Sequence, residues 1–569
     1  MLIRVFVALK IFTAFLFLTT PVRTEAQQLI NPFDFPMQLS GGFGELRASH
    51  YHAGIDIRTR SSEGHAILAV LSGYISRVSV SPSGYGLAVY VTHPADSLIT
   101  VHGHLQRFTP AMAERVKEKQ YEIESYTVDM QFEPDEFPVK QGDSIGYSGN
   151  SGSSGGPHLH FEVRDMRTNE MVDPLVFYKS QIPDTQKPQV QGLKIYPVEG
   201  KGMVNGSSKK QNIAFVLDKN GQPVISRTIT AWGEIGLGIR AVDRMNGTSF
   251  SYGIKDILLT VDSLEIYRSE IVRFSLEESR YLNSYTDYEE WSENRVFYIK
   301  TFVDPGNRTQ FIASRNSGII NIREERNYNV RITLTDLYGN RREVPITIKG
   351  EKQDIAPPDT IGAKLLRWYD YNTFEAKGIR LEIPRNSLYN SVYINHRISS
   401  AEGYDSPVHT IHSSPVPLHY PANLSILLDR TLASDQTNQY GIVRITGSNG
   451  RMSWIGGVFR DGWMDAEISE LGIYTVTRDT TPPVIRPVEP ARWRERKKIN
   501  IRIYDALSGI SSYRGEINGK YALFEYDSKN SMLTYTFDGE RIQQENQQLK
   551  LTVTDWCGNT SEYNYSFIK

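Results

Sequence analysis

Three aspartate-led, proline-bearing breaks constrain this chain more than any other feature: Asp184-Thr185-Gln186-Lys187-Pro188, Asp354-Ile355-Ala356-Pro357-Pro358 and Asp479-Thr480-Thr481-Pro482-Pro483. Each proline fixes its own φ and biases the preceding residue toward extended backbone, which suits a linker entering a first strand. A chain of 569 residues is too long for one compact core, since domains usually hold ~100–150 residues. The breaks divide it into domains at 27–183, 184–353, 354–478 and 479–569.

The second and fourth segments read as diverged copies. One carries Leu237-Gly238-Ile239-Arg240-Ala241-Val242-Asp243 and Val330-Arg331-Ile332-Thr333-Leu334-Thr335-Asp336-Leu337-Tyr338-Gly339-Asn340. The other carries Ile499-Asn500-Ile501-Arg502-Ile503-Tyr504-Asp505 and Leu549-Lys550-Leu551-Thr552-Val553-Thr554-Asp555-Trp556-Cys557-Gly558-Asn559. Apolar and polar residues alternate as in half-buried strands, and the aspartates with Gly-Asn mark tight turns. Both segments resemble bacterial immunoglobulin-like β-sandwiches. Residues 354–478 also read as strands, such as Ile379-Arg380-Leu381-Glu382-Ile383, and make a third sandwich.

With 39% apolar and 22% charged residues the chain is neither disordered nor of low complexity, and 32 tyrosines favour strands. A net charge of -2 gives no electrostatic reason to expect nucleic acid. Residues 1–26 read as a secretory signal peptide: a basic start, the apolar run Ile11 to Leu18, and Ala26 before the cleavage point. That run is too short for a comfortable membrane helix, so the mature chain is expected to be exported without a transmembrane segment, to the periplasm or alternatively to the cell surface or medium. The lone Cys557 has no partner for a disulfide within the chain and reads as a packed residue.

Function is concentrated elsewhere. Eight of the twelve histidines lie between His50 and His160. His52-Ala53-Gly54-Ile55-Asp56 places two metal-capable side chains on one extended segment with even spacing. Gly156-Pro157-His158-Leu159-His160-Phe161-Glu162-Val163 follows a Gly/Ser-rich loop; alternation sends Leu159, Phe161 and Val163 into a core and His158 and His160 to the opposite face. Val101-His102-Gly103-His104-Leu105 forms a third element, with both histidines expected on one face.

In this order, the three elements resemble the M23 (lysostaphin/LytM-type) zinc metallopeptidases, whose signatures are His-x-x-x-Asp, an aromatic-small-His-Leu segment and His-x-His after a Gly-rich loop. The likeness extends over about residues 40–178. It implies a mainly β chain, with an N-terminal antiparallel β-sheet metallopeptidase domain ahead of the three sandwiches. It also implies Zn2+ on His52, Asp56 and His160, with His104 and His158 as catalytic histidines. Two imidazoles and a carboxylate leave a fourth position for water, as catalytic zinc requires. The implied activity is hydrolysis of peptidoglycan peptide cross-links, with stem peptides as partners and other envelope proteins met through the sandwiches. The alternatives are a non-catalytic LytM-type regulator that activates another wall hydrolase, or sandwiches that bind while the first domain is a passenger. His102 stands where the family has an aromatic residue; the readings are that it assists His104, replaces it, or fills the aromatic's place, and the last is the expected one. The insertion between His104 and His158 contains a helix beginning at Thr109-Pro110 and is expected to wall one end of the groove.

Overall fold

The computed structural model describes residues 29–569, except 359, 401, 429–431, 434, 435, 448, 540 and 544. The expected signal peptide, residues 1–26, lies outside the described residues. The chain is mainly β, with 49% strand and 9% helix.

The first domain is built on β1 (Leu39–Gly41), β2 (Ile55–Arg58), β3 (Ala66–Leu68), β4 (Gly73–Val80), β5 (Leu87–His93), β6 (Leu98–Phe108), helix α1 (Pro110–Glu122), β7 (Val128–Gln131), β8 (Pro138–Val139), β9 (Ser144–Ser148), β10 (His158–Asp165) and β11 (Met171–Val172). The main sheet runs β1-β2-β10-β6-β5-β4-β7. Alternation in β10 does what its sequence dictates: Leu159, Phe161 and Val163 are fully buried in the core beneath the sheet, and the histidines stand on the other face. Helix α1 starts at Pro110, as expected. Thr109 occupies the N-cap position without a side-chain hydrogen bond, while Met112 and Val116 fix the helix to the domain.

The apolar residues of the rest gather into three further main cores, drawn mostly from residues 190–348, 366–476 and 493–567. The last two are each enclosed by a pair of sheets, five-stranded in one case and four-stranded in the other. The strands around the first of the three are instead joined in one ten-stranded sheet, because the long strand Ile229–Val242 pairs with several neighbours along its length.

The first domain is not a free bead. β11 pairs with Arg273–Phe274 of the next segment, Lys255 meets Asp173 at 2.6 Å, and Met245 and Tyr252 are part of the first domain's core. At the far end of the sequence, residues 514–538 return to the first domain. Tyr121 donates to Asp538 at 2.8 Å, Arg514 meets Glu124 at 2.5 Å, Ser528 donates to the carbonyl of Pro82 at 2.6 Å, and Lys529 donates to that of Asn150.

Candidate metal centre

Strand register assembles the site. β2 and β10 pair antiparallel with Asp56 directly opposite His160, and residues opposite each other in a sheet project from the same face. His52 arrives on the segment before β2, held by its N–H to the carbonyl of Glu45 at 2.8 Å and by its carbonyl to the N–H of Gly44 at 2.9 Å. Gly54 is required by this approach, since a Cβ there would lie 2.2 Å from the carbonyl oxygen of Phe161. Gly41 leaves room for the Asp56 carboxylate, 2.4 Å from where its own Cβ would stand.

The result is a triangle. His52 Nε2 lies 3.0 Å from His160 Nδ1 and 3.0 Å from Asp56 Oδ1, and His160 Nδ1 is 3.1 Å from the same oxygen. Each histidine is braced from behind by an acceptor. His52 Nδ1 is 2.7 Å from the carbonyl of Gly42, and His160 Nε2 is 2.9 Å from Glu162 Oε1. His158 Nδ1 is 2.8 Å from the carbonyl of Gly156, and His104 Nδ1 is 2.9 Å from that of Ser151. A carbonyl or an ionised carboxylate only accepts, so each of these outer nitrogens carries the hydrogen, and in a neutral ring the other nitrogen is bare. The sequence reading missed Glu162 as a brace. Its signal was present, an acid two residues after His160 on the same strand face.

Charge around the triangle is finely balanced. Burial opposes ionisation of Asp56, but His52, His158 and His160 hold its carboxyl well below the usual range. For Glu162, burial is likewise overcome by His160, Arg164 and Tyr85, which bring it to about 2. Burial works against a proton on His160 too, yet the hydrogen bonds to Asp56 and Glu162 raise it to about 9. The two carboxylates thus hold positive charge at the triangle, and a cation binding there displaces that proton because metal ligation needs the neutral ring. Burial, His160 and His158 push His104 down to about 3, so it is neutral.

Four-coordinate zinc with bonds of ~2.0–2.1 Å holds its ligand atoms ~3.3 Å apart. The triangle has sides of 3.0–3.1 Å, so its donor set and spacing fit zinc after a small expansion. His158 Nε2 sits beside it, 3.4 Å from Asp56 Oδ1. The His104 ring is 4.8 Å from that of His158 and 5.8 Å from that of His160. All five residues predicted from the sequence are therefore brought together.

The family model of peptidase family M23 matches residues 132–174, which contain the Gly-rich loop and the His158-x-His160 strand. The likeness to peptidase family M23 thus falls on the strand that carries two of the five histidine and aspartate residues of the site. Solved structures similar to parts of this chain include a mutant catalytic domain of the prophage-encoded M23 protein EnpA from Enterococcus faecalis, 26% identical, covering 23% of this chain and 82% of that one with a TM-score of 0.17. The catalytic domain of the antimicrobial peptidase lysostaphin from Staphylococcus simulans is 23% identical, covering 25% and 92%, with a TM-score of 0.19. A zinc-containing peptidase from Vibrio cholerae is 25% identical, covering 25% and 37%, with a TM-score of 0.19. Residues 363–479 match the Zu5-like domain, which the strand pattern alone did not reveal. No curated protein matches the chain.

Within the first domain, His102 departs from expectation. It does not share the face of His104: its ring packs against Phe161 at 5.3 Å, is fully buried, and has no hydrogen-bond partner at either nitrogen. The cause is the backbone of His104, whose φ of 62° interrupts strand alternation while its N–H is held 2.8 Å from the carbonyl of Tyr85. His65 and His93 are engaged away from the triangle, His65 with Ser62 and His93 with Ser72 and Thr100. Beside the loop that braces His104 opens a cleft of about 780 Å³, lined by Gln106, Ser151 and Gly152 on one side and by Tyr121, Tyr526 and Lys529 on the others. Residues of the insertion, Ala113 to Tyr126, line one side of this cleft, and residues 523–538 line the opposite one.

Proposed function

We propose that the chain is an exported zinc-dependent endopeptidase that cleaves peptide cross-links of peptidoglycan, with zinc on His52, Asp56 and His160 and catalysis by His158 and His104. The observation that carries this reading is the triangle of donors, two ring nitrogens and a carboxylate oxygen, with both rings braced from behind. Zinc, when bound, supplies a Lewis acid for the scissile carbonyl and lowers the pKa of water toward ~7.

The protein's own groups complete the reaction. His158, its Nδ1–H committed to Gly156, presents Nε2 beside the triangle, where it accepts the proton of the attacking water and returns it to the leaving amine. His104 has the same tautomer because Ser151 takes its Nδ1–H. It therefore stabilises the oxyanion through Nε2 only when that atom gains a proton, an event its burial opposes until negative charge develops next to it. The peptidoglycan substrate follows the family resemblance, and export follows the leader-like first 26 residues. The complete set of five residues favours an enzyme over a regulator.

The test is muropeptide analysis of purified sacculi treated with zinc-loaded protein. Loss of cross-linked muropeptides, absent with His158→Ala, is the expected result; unchanged cross-linking overturns the substrate.

A further inference from the structure

Three aspartates from distant parts of the sequence meet under the junction between the first domain and the segment that follows it. Asp184 lies in the linker, Asp243 follows the strand Ile229–Val242, and Asp336 follows the strand Asn327–Thr335. One carboxylate oxygen from each lies within 4.8 Å of the others. All three are buried, with exposures of 7%, 7% and 5%.

Their hydrogen bonding is one-sided. Asp184 Oδ1 accepts the N–H groups of Gln186 and Asn246 at 3.1 Å each, while Asp184 Oδ2 and Asp243 Oδ1 are buried with no hydrogen-bond partner. Asp336 Oδ1 accepts the N–H groups of Tyr338 and Asn340, and Oδ2 accepts the Asn340 side chain at 2.7 Å. None of the three forms an ion pair among the described residues. Asp243 is raised to about 8 first by burial and then by its like-charged neighbours Asp336 and Asp184. An unpaired buried carboxylate is costly and three in contact are more so, unless a cation neutralises them.

We propose that Asp184, Asp243 and Asp336 hold a calcium ion that fixes the junction between the first domain and the following module. The donors are all oxygen, which selects a hard cation over zinc. Calcium accepts irregular sets of six to eight oxygens, so backbone carbonyls and water complete what three carboxylates begin, whereas magnesium demands a near-octahedral cage. The ion would couple the linker residue Asp184 to turns whose next residues, Leu337, Tyr338 and Met245, pack with the first domain's core.

The fold repeats this arrangement. Asp479, Asp505 and Asp555 also meet within 4.8 Å, and Asn559 donates to both Asp555 Oδ2 and the carbonyl of Asp479, as Asn340 does to Asp336 Oδ2 and the carbonyl of Asp184. There every carboxyl group is already hydrogen-bonded, so the inference rests on the first cluster alone.

The experiment is equilibrium dialysis of radioactive calcium, with thermal unfolding at zero and ~1 mM calcium, the range of extracellular modules. It uses mature full-length protein stripped of metal and reloaded with one equivalent of zinc. Wild type is expected to bind calcium and to melt at a higher temperature in its presence. Asp243→Asn should bind one equivalent fewer, with unchanged zinc content and without loss of stability in the calcium-free state, because the substitution relieves repulsion. Asp336→Asn serves as the second variant with the same expected loss, and His160→Ala should keep its calcium. Wild type that binds no calcium, or both aspartate variants binding as much as wild type, overturns the proposal; an equal effect of magnesium overturns the choice of ion.

Discussion

The cluster of His52, Asp56 and His160 and the cluster of Asp184, Asp243 and Asp336 are both buried, and both bring together residues far apart in sequence. In the first, each ring is braced from behind and two imidazoles dilute the negative charge. In the second, three carboxyl groups meet with no cationic partner among the described residues, and two oxygens are left without a hydrogen bond. The difference teaches that donor type and bracing, more than burial or spacing, decide which ion a pocket suits. Imidazole with one carboxylate suits zinc and keeps a coordination position open for chemistry. Carboxylates alone suit calcium, which can fasten one part of a fold to another.

The strongest way to break the comparison is to remove a ring from the first cluster. His160→Ala should abolish stoichiometric zinc by metal analysis and lower wall hydrolysis by at least ~100-fold, beyond the usual cost of losing a bracing partner. Full activity in this variant would show that the triangle is not the metal centre. Glu162→Gln tests bracing alone. It keeps every donor but replaces the carboxylate acceptor behind His160, so zinc affinity from a competitive chelator titration should fall ~10–100-fold, with calcium binding unaffected.

His102→Phe asks whether a neighbouring histidine belongs to the site. Zinc content and activity should persist. His102 is held at about 3, by burial first and then by His93, against an ordinary value of 6.5. The unfolded chain therefore takes up a proton as pH falls through 6.5 while the folded protein does not, and stability is lost toward acid. The phenylalanine variant should lack that contribution, up to ~1.4 kcal/mol per pH unit between pH 6 and 4 in denaturant titrations. The smallest effect is expected from Tyr121→Phe, which removes the hydrogen bond to Asp538 across the cleft and should cost about 1 kcal/mol. If cleavage of long substrates changes while that of a short peptide does not, the closure by residues 514–538 shapes the cleft.

Much of the site was legible in the sequence because strands impose a period of two. His158-x-His160 had to share a face, and Asp56 had to present its carboxylate where Gly54 admits a close-packed neighbour. The same rule failed at His104: His102, opposite Phe161, lies on the core face, and a positive φ at His104 brings that residue to the site face where alternation would have returned it to the core. Alternation holds only while backbone angles remain extended. The aspartates were visible as well, as linker and turn residues repeated in two segments. What hid their convergence was that a pattern along the chain records local conformation and not which turns meet. Likewise, the strands of 354–478 were readable without the Zu5-like likeness.

The sequence by itself determined the elements: β-rich segments, their proline-marked ends, and five residues that the structure brings into one cluster. Only the tertiary structure decided that Glu162 braces His160, that Asp184, Asp243 and Asp336 meet, and that the end of the chain returns to wall the cleft beside Ser151. The physical reason is separation along the chain. Contacts such as Arg514 with Glu124 or Lys529 with Asn150 join residues hundreds of positions apart, and their partners are selected by the packing of whole domains, which no local periodicity encodes.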